Sequence, residues 1–126
     1  MRILIAATAL ALLGTGPVLA GDPANGGKVF KKCKACHQVE AGRKSPVGPN
    51  LHGVIGRTAG TTDFKRYSKQ MQAAGEDGLV WTEETLAAYL EAPRKYLRGT
   101  RMAFPGLKKE ADRADVIAYL KQQSGQ

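Results

Sequence analysis

The chain opens with a pattern that is typical of a secretory signal. A basic start at Arg2 precedes an almost unbroken apolar run over residues 3–13, and residues 14–17 contain the Gly and Pro that break it. Small and apolar residues then lead up to Ala20, a composition that suits signal-peptidase cleavage. The apolar run falls well short of the roughly 20 residues that a membrane-spanning helix needs, so a membrane anchor is the less favoured alternative. We therefore expect residues 1–20 to be a signal peptide that is cleaved after Ala20.

The remaining residues, 21–126, place apolar side chains at helical spacing and lack alternating strands. Asp22 followed by Pro23 is a helix start, because Asp caps free backbone N–H groups and Pro is accepted in the first turn. The first helix should run from there to about Ala35. The last helix should span about residues 111–121. Its inward-facing apolar side chains would be Val116, Ile117 and Leu120.

A further helix is expected in the second half of the chain. Thr82 is a good N-cap, and the negative charges of Glu83 and Glu84 suit the positive end of the helix dipole. Pro93 should end this helix or restart a short turn. The side chains at helical spacing within it are Leu86, Tyr89 and Leu90. Residues 42–60 are rich in Gly and Pro and predict a loop, so the predicted fold class is all-α with long connections.

The formal net charge of +8 falls to +7 when Arg2 leaves with the signal. A basic surface favours anionic partners, which include nucleic acid, membranes and acidic proteins. Export argues against a nucleic-acid partner. In addition, no run of Lys or Arg exceeds two residues, so the chain lacks a basic segment that could bind a nucleic-acid duplex. The charge therefore favours an acidic protein partner and no nucleic acid, with ordinary solubility as the simpler explanation.

Two cysteines in an exported chain usually predict a disulfide, but here they belong to a Cys-x-x-Cys-His motif. Cys33, Cys36 and His37 complete the pattern of c-type haem attachment. On a helix, positions i, i+3 and i+4 share one face, so both sulfurs can form thioethers with the haem vinyl groups while the imidazole meets the iron. The motif therefore predicts one covalent haem c, attached through Cys33 and Cys36 and ligated by His37.

Three other interpretations of the motif are weaker. A closed structural zinc site needs four ligands and normally repeats the Cys or His pair, whereas this chain adds only His52. A thioredoxin-like redox pair follows a strand in a βαβ unit, but the residues before Cys33 continue a helical pattern. A plain disulfide leaves the adjacent His37 unexplained.

An electron carrier needs a second strong axial ligand, which keeps the iron six-coordinate in both oxidation states. The mature chain offers His52, Met71 and Met102. Met71 stands at helical spacing from two aromatic residues, which favours packing in the core, and His52 is favoured as a surface or loop histidine. Met102 lies in an irregular stretch, residues 99–106, that can bring its sulfur to the side of the haem opposite His37. Spacing therefore favours Met102 and leaves the other two open.

Further motifs accompany the haem motif along the chain. They are Gly26-x-x-x-Phe30, Gly48-Pro49-Asn50-Leu51-His52-Gly53, Tyr67, Trp81, Tyr89, Pro93, Lys95-Tyr96-Leu97-x-Gly99-Thr100-x-Met102 and Ile117-Ala118-Tyr119-Leu120-Lys121. Together they resemble class I cytochromes c over nearly all of residues 21–126. The resemblance implies one monohaem domain, in which helices and loops wrap around the haem and the first and last helices cross at Gly26. Because apolar side chains are few, the haem would act as part of the core.

The resemblance also implies a role for each matching position. Met102 would be the sixth iron ligand, opposite His37, and the carbonyl of Pro49 would accept a hydrogen bond from the other ring nitrogen of His37. The other haem contacts would be Tyr67, Trp81 and Arg57 at a propionate, Tyr89 and Thr100 on the Met102 side, and Phe104 as a shield over the ring. Two positions depart from the family, since Met71 replaces a frequent Asn and Arg98 replaces a frequent Pro.

The function that the resemblance implies is that of a soluble periplasmic electron carrier, not an enzyme. Its partners would be acidic docking faces on a quinol–cytochrome c reductase, an oxidase, a reaction centre or a dehydrogenase, and the protein would be a monomer. A basic ring around the exposed haem edge would consist of Lys28, Lys32, Lys44, Arg94, Lys95, Arg101, Lys108 and Lys109. The alternatives are a gas-binding or peroxidase-like cytochrome with one open axial site, and a haem-free thiol oxidoreductase.

Overall fold

The computed structural model describes residues 20–126 as short α-helices joined by long loops. The helices are α1 (Pro23–Val29), α2 (Lys69–Glu76), α3 (Glu83–Glu91), α4 (Pro93–Tyr96) and α5 (Glu110–Gln123), with a 3₁₀ turn at Phe30–Lys32 directly after α1. In this described part, the only extended pairing is an isolated bridge between Thr58 and Val80, so the all-α fold class is confirmed. The expected signal peptide lies outside the described residues except for Ala20, and it stays a prediction.

Helix α1 begins where the sequence predicts and ends earlier. The Asp22 carboxylate accepts a hydrogen bond from the Ala24 N–H at 2.9 Å, and Pro23 occupies the first turn. The predicted end of the helix at about Ala35 was wrong, because regular α-helix stops at Val29 and the backbone tightens into a 3₁₀ turn.

The segment after α1 nevertheless keeps the motif residues one turn apart. The Cys33 N–H donates to Phe30 O at 2.8 Å and the Cys36 N–H donates to Cys33 O at 3.1 Å, which are both i→i+3 bonds. The His37 N–H then donates to Cys33 O at 3.0 Å, so the last turn widens to helical spacing. A chain of tight turns therefore replaces the expected helix and still gathers the haem-motif side chains.

The starts of α3 and α4 follow the predicted signals. Thr82 Oγ1 accepts from the Thr85 N–H at 3.1 Å and Thr85 Oγ1 accepts from the Thr82 N–H at 2.8 Å, which forms a reciprocal capping box. Pro93 restarts the chain as the short helix α4. Helix α5 extends slightly beyond the predicted range at both ends. None of the helices in residues 20–126 is long and apolar enough to cross a membrane.

Helix α2 was not among the predicted helices, although the helical spacing of Met71 predicted its packing in the core, which its burial confirms. Its N-cap is Ser68, whose hydroxyl oxygen accepts from the Met71 N–H at 3.0 Å. Met71 is the only large apolar side chain of the helix, so the amphipathic pattern is too short to be recognised. At Gly75, a Cβ atom would lie 1.9 Å from the Ala59 carbonyl oxygen, so the absence of a side chain lets this helix pack directly on the preceding loop.

Helices α1 and α5 cross in close contact, as the resemblance implies. A Cβ atom at Gly26 would lie 1.9 Å from the carbonyl oxygen of Asp115, so only Gly fits there. The ring centroids of Phe30 and Tyr119 are 5.3 Å apart, and Asn25 Nδ2 donates to the Asp115 carboxylate at 2.6 Å. This crossing fixes the start of the segment that carries the haem motif.

The predicted loop over residues 42–60 is confirmed, and side chains hold it in place. Asn50 Nδ2 donates to the carbonyl oxygens of Glu40 at 2.7 Å and Arg43 at 2.6 Å, while Asn50 Oδ1 accepts from the His52 N–H at 2.7 Å. Backbone polar groups in a loop need such partners, because unpaired groups are costly once water is excluded. One side chain thus ties three points of the loop together.

The buried apolar side chains form a single cluster. Its members are Val29, Phe30, Val39, Val54, Ala59, Met71, Trp81, Leu86, Tyr89, Leu107, Val116, Ile117 and Leu120. Within the described chain, Ser68 is the only buried polar residue, and no buried side-chain N or O atom lacks a hydrogen-bond partner. The core is therefore apolar throughout.

Replacing Gly26 with Ala should destabilise the protein by about 3 kcal/mol, since the added methyl group must push two helix backbones apart. The matched control is Gly27→Ala in the same helix, where the new Cβ would lie 3.3 Å from Cε2 of Tyr119 and the ring can shift. Ala favours helix by about 1 kcal/mol over Gly, so the control should be close to neutral. Denaturant unfolding measures both, and equal stability of the two variants would contradict the close crossing.

Candidate haem site

A cavity of about 360 Å³ is lined by the cysteine motif, by α3 and α5, and by the segment between α4 and α5. All the side chains that the sequence predicts as haem contacts line it, namely Cys33, Cys36, His37, Pro49, Tyr67, Trp81, Tyr89, Thr100, Met102 and Phe104. Arg57 and Met71 line the same cavity. His52 is not among the lining residues, and its Nδ1 atom lies 3.0 Å from the carbonyl oxygen of Val39.

Cys33 and Cys36 form no disulfide with each other, and both lie partly buried at the cavity wall. Burial raises the pKa of the Cys33 thiol to about 11, although the positive charge of Lys32 acts to lower this pKa. A redox-active cysteine pair needs the opposite, a lowered pKa that supplies the reactive thiolate. The surroundings of this pair therefore do not favour a thiol oxidoreductase, and two free thiols suit thioether attachment.

The backbone of Gly48 and Pro49 packs against one edge of the His37 ring. Its Nδ1 atom lies 2.7 Å from the carbonyl oxygen of Pro49, and a carbonyl can only accept, so Nδ1 carries the proton and the Nε2 lone pair is free for a metal. Burial lowers the pKa of His37, which favours the neutral ring. At Gly48, a Cβ atom would lie 2.7 Å from Cε1 of the ring, so the loop packs against the imidazole.

Met102 lies in the irregular segment between α4 and α5. Its backbone N–H donates to Thr100 Oγ1 at 3.4 Å, and the hydroxyl groups of Thr100 and Tyr89 share a hydrogen bond of 2.7 Å. Burial raises the pKa of Tyr89, so the phenol stays neutral. The Tyr89–Thr100 pair thus ties the Met102 segment to α3. Because Met71 also lines the cavity, two thioethers face the same space.

A polar corner of the cavity is formed by Arg57, Tyr67 and Trp81. Arg57 Nη1 donates to the carbonyl oxygen of Asn50 at 3.0 Å, and the Tyr67 and Thr62 hydroxyl groups share a hydrogen bond of 2.6 Å. The backbone N–H of Trp81 donates to the Arg57 carbonyl oxygen at 2.9 Å, which keeps these two residues together. Burial lowers the pKa of the Arg57 guanidinium, and a bound anion would offset this cost of desolvation.

Sequence reasoning did not identify most of the apolar cavity walls. They include Phe30, Leu51, Val54, Leu86, Leu107 and Leu120. Helical spacing predicted that Leu86 and Leu120 face inward. It did not indicate that these side chains line the cavity instead of packing against each other. Leu51 and Val54 belong to the loop over residues 42–60, which was expected to wrap around the haem, but the loop has no periodicity that would single out these two side chains.

The chemistry of the cavity fits a covalently attached haem. Imidazole and thioether groups bind haem iron, free thiols can attach the porphyrin, and a guanidinium suits a carboxylate. In the described residues, no group of three or more His, Cys, Asp and Glu side chains could hold a metal ion, so nothing supports the zinc alternative. The fold and the cavity together define a small helical haem protein.

Comparison with known proteins gives the same class. The family model for cytochrome c matches residues 23–124. Cytochrome c2 of Afifella marina is 51% identical over 98 residues, which cover 78% of this chain and 79% of the relative. Cytochrome c of Ginkgo biloba is 49% identical over 107 residues, covering 84% of this chain and 92% of the relative. The structure of cytochrome c2 from Rhodospirillum centenum matches with a TM-score of 0.78 and 48% identity, covering 82% of this chain and 99% of that one.

The chain therefore belongs to the cytochrome c family. It carries one covalent haem c, attached through Cys33 and Cys36. Its role is that of an electron carrier, as in other proteins of this family.

Replacing Gly48 with Ala should displace the His37 ring, since the new methyl group would overlap Cε1. We expect the haem-loaded protein to lose about 2 kcal/mol of stability. The NMR signal of the His37 Nδ1 proton should shift as its bond to Pro49 lengthens. Gly27→Ala, which adds a methyl group beside a movable ring, is the control and should leave this signal in place. An unchanged signal in Gly48→Ala would show that the loop does not position the imidazole.

Proposed function

We propose that this chain is an exported carrier that shuttles single electrons between membrane-bound or periplasmic redox complexes through an iron held by His37 and Met102. The observation that best supports this is the presence of both side chains on the walls of one cavity beside the thiol pair. The bound haem supplies reversible one-electron chemistry. With two ligands provided by the chain, no axial position is left for a substrate, which favours transfer of electrons over catalysis.

The two proposed ligands would have different effects. The neutral His37 ring offers Nε2 to the iron, while its Nδ1–H bond to Pro49 keeps the ring from rotating. The thioether of Met102 raises the reduction potential relative to harder ligands. The apolar cavity walls exclude water and disfavour the extra positive charge of oxidised iron, which acts in the same direction.

The polar side chains of the cavity have supporting roles in this proposal. Arg57, Tyr67 and Trp81 would hold a haem propionate through a guanidinium, a hydroxyl and an indole N–H, since all three residues line the same cavity. Tyr89 and Thr100 would position the Met102 segment through their shared hydrogen bond. The ring of Phe104 lines the cavity and would shield the haem from solvent.

Export to the periplasm would follow from cleavage after Ala20. Gly21, the proposed first residue of the mature protein, packs against α5, and a Cβ atom there would lie 2.0 Å from the Ala114 carbonyl oxygen. The fold thus accommodates only Gly at this position, which supports an ordered start at this residue. N-terminal sequencing of the exported protein checks the assignment, because any other first residue would overturn it.

The proposed docking surface is the basic ring defined above, and all of its members are exposed. Positive charge around the haem edge would steer the carrier onto acidic faces of a quinol–cytochrome c reductase, an oxidase, a reaction centre or a dehydrogenase. We propose no nucleic-acid partner.

A monomer is proposed because the described surface is poor in large apolar side chains. Only Val47, at 56% exposure, and Tyr96, at 40%, are exposed large hydrophobic residues within residues 20–126. Stable homodimers usually bury a more apolar surface than two scattered side chains provide.

Replacing Met102 with Leu should remove the weak near-infrared band that a sulfur–iron bond gives in oxidised haem proteins. The same change should let carbon monoxide bind readily to the reduced protein, because an axial position opens. The matched control is Met71→Leu, which alters the other thioether of the cavity and should keep the band. If Met71→Leu loses the band and Met102→Leu keeps it, the ligand is Met71. If the native reduced protein already binds carbon monoxide readily, the chain is a gas-binding or peroxidase-like cytochrome.

Electron transfer to membranes of the source cell should slow as salt is raised, if the basic ring steers docking. The Debye length falls from roughly 30 Å at 0.01 M to roughly 3 Å at 1 M ionic strength, which screens such steering. At low salt, Lys95→Gln should lower the rate roughly two- to fivefold. Lys69→Gln removes an equal charge from α2, outside the ring, and serves as the control. A rate that ignores salt would disprove steering.

A further inference from the structure

The loop over residues 49–57 carries a group of the haem site at each of its ends. The Pro49 carbonyl oxygen lies 2.7 Å from Nδ1 of His37, and Arg57 lines the haem cavity. Between them, Val54 is only 2% exposed and lines the same cavity. The conformation of this loop therefore decides where a positive charge and the partner of the imidazole stand relative to the haem.

The loop bends sharply and forms few hydrogen bonds of its own. Arg57 Nη1 donates to the carbonyl oxygens of Asn50 at 3.0 Å and His52 at 3.4 Å, which connects its ends. Gly53 and Gly56 have φ angles of +70° and +87°, which glycine adopts without strain and which let the chain turn twice. A loop of this kind depends on outside contacts to keep one conformation.

The segment that follows α5 supplies such contacts to the middle of the loop. The Gly53 N–H donates to Ser124 Oγ at 2.7 Å, and Gln126 Nε2 donates to the Ile55 carbonyl oxygen at 2.8 Å. Within residues 20–126, the backbone of residues 53–55 forms no other hydrogen bond outside its own loop. Ser124 and Gln126 therefore hold the loop at the point where nothing else does so by hydrogen bonding.

Both contacting residues are themselves fixed to α5. The Ser124 hydroxyl donates to the Leu120 carbonyl oxygen at 2.7 Å while it accepts from Gly53, so its one proton and an oxygen lone pair are both used. The Gln126 N–H donates to the Lys121 carbonyl oxygen at 2.8 Å, which folds the segment back onto the helix. Because α5 packs closely against α1, the loop is fixed to the most tightly packed part of the fold.

We propose that Ser124 and Gln126 are positioning residues that hold Arg57 at the haem and thereby keep the reduction potential high. A positive charge close to the iron disfavours the oxidised state, which carries one more positive charge than the reduced state. Release of the loop would let the guanidinium move towards water, where its charge is screened. Neither Ser124 nor Gln126 lines the haem cavity, so their effect must pass through the loop. The inference does not depend on whether Met102 is an iron ligand.

Potentiometric titration of the haem-loaded protein tests the proposal. At a fixed electrode potential, Ser124→Ala and Gln126→Ala should each lower the ratio of reduced to oxidised protein roughly two- to fivefold. This is the size expected when one charge moves a few ångströms at an effective dielectric constant of about 20. Ser124→Thr keeps the hydroxyl and should preserve the native ratio. Gln123→Ala removes an amide from an exposed position of α5 and should also leave the ratio unchanged.

A double-mutant cycle with Arg57→Gln separates positioning of the charge from general loosening of the fold. In the Arg57→Gln protein, Ser124→Ala should no longer change the ratio, because the charge that the loop positions is absent. Hydrogen exchange provides a second readout that keeps Arg57. In Ser124→Ala, the Gly53 amide should exchange roughly two- to tenfold faster, as expected for the loss of one net hydrogen bond.

Three results would overturn the proposal. Unchanged exchange at Gly53 would show that the Ser124 bond does not hold the loop. Faster exchange with an unchanged ratio of reduced to oxidised protein would leave Ser124 a purely structural role. An equal effect of Ser124→Ala with and without Arg57 would show that another group is responsible. Failure of the proposed function appears instead in the near-infrared band assigned to Met102, which these substitutions should leave in place.

Discussion

Burial of apolar side chains around the haem cavity is the constraint on which the rest of this fold depends. Of the thirteen buried apolar residues, nine also line the cavity, which are Phe30, Val54, Met71, Trp81, Leu86, Tyr89, Leu107, Val116 and Leu120. Most of the core therefore faces the haem, and the free energy gained by burying it depends on the haem being present. Short helices and long loops can therefore form a stable domain, because the covalent haem fills the space that core side chains occupy in other small domains.

The rigid parts of the chain place the ligand groups around that cavity. The close crossing at Gly26 sets the direction of the turns that carry Cys33 and His37. The loop on the other side, held by Asn50, brings the Pro49 carbonyl to the imidazole. Each contact uses backbone or a short side chain, so little conformational freedom remains at the site. An electron carrier needs small rearrangement between oxidation states, and a site held by such contacts favours it.

Local chemistry accounts for the parts of the fold that the sequence predicted well. The capping residues Asp22 and Thr82 act within one turn of themselves, so they are recognisable without knowing the fold. The end of α1 was missed because the change from α-helix to tight turns after Val29 has no local breaker. Helix α2 was missed because only Met71 marks its buried face and its Gly75 matters through contact with a distant loop.

The covalent haem and the family were predictable from the sequence alone, because a motif of adjacent residues carries the attachment chemistry within a single turn. Spacing also favoured Met102 as the second axial ligand, and it left Met71 and His52 open as alternatives. The three-dimensional structure adds that Met71 lines the same cavity as Met102 and that the segment after α5 contacts a loop distant in sequence, and it shows the bond between His37 and the Pro49 carbonyl that the resemblance implied. These features depend on which segments meet in space, and that is settled by packing over the whole chain.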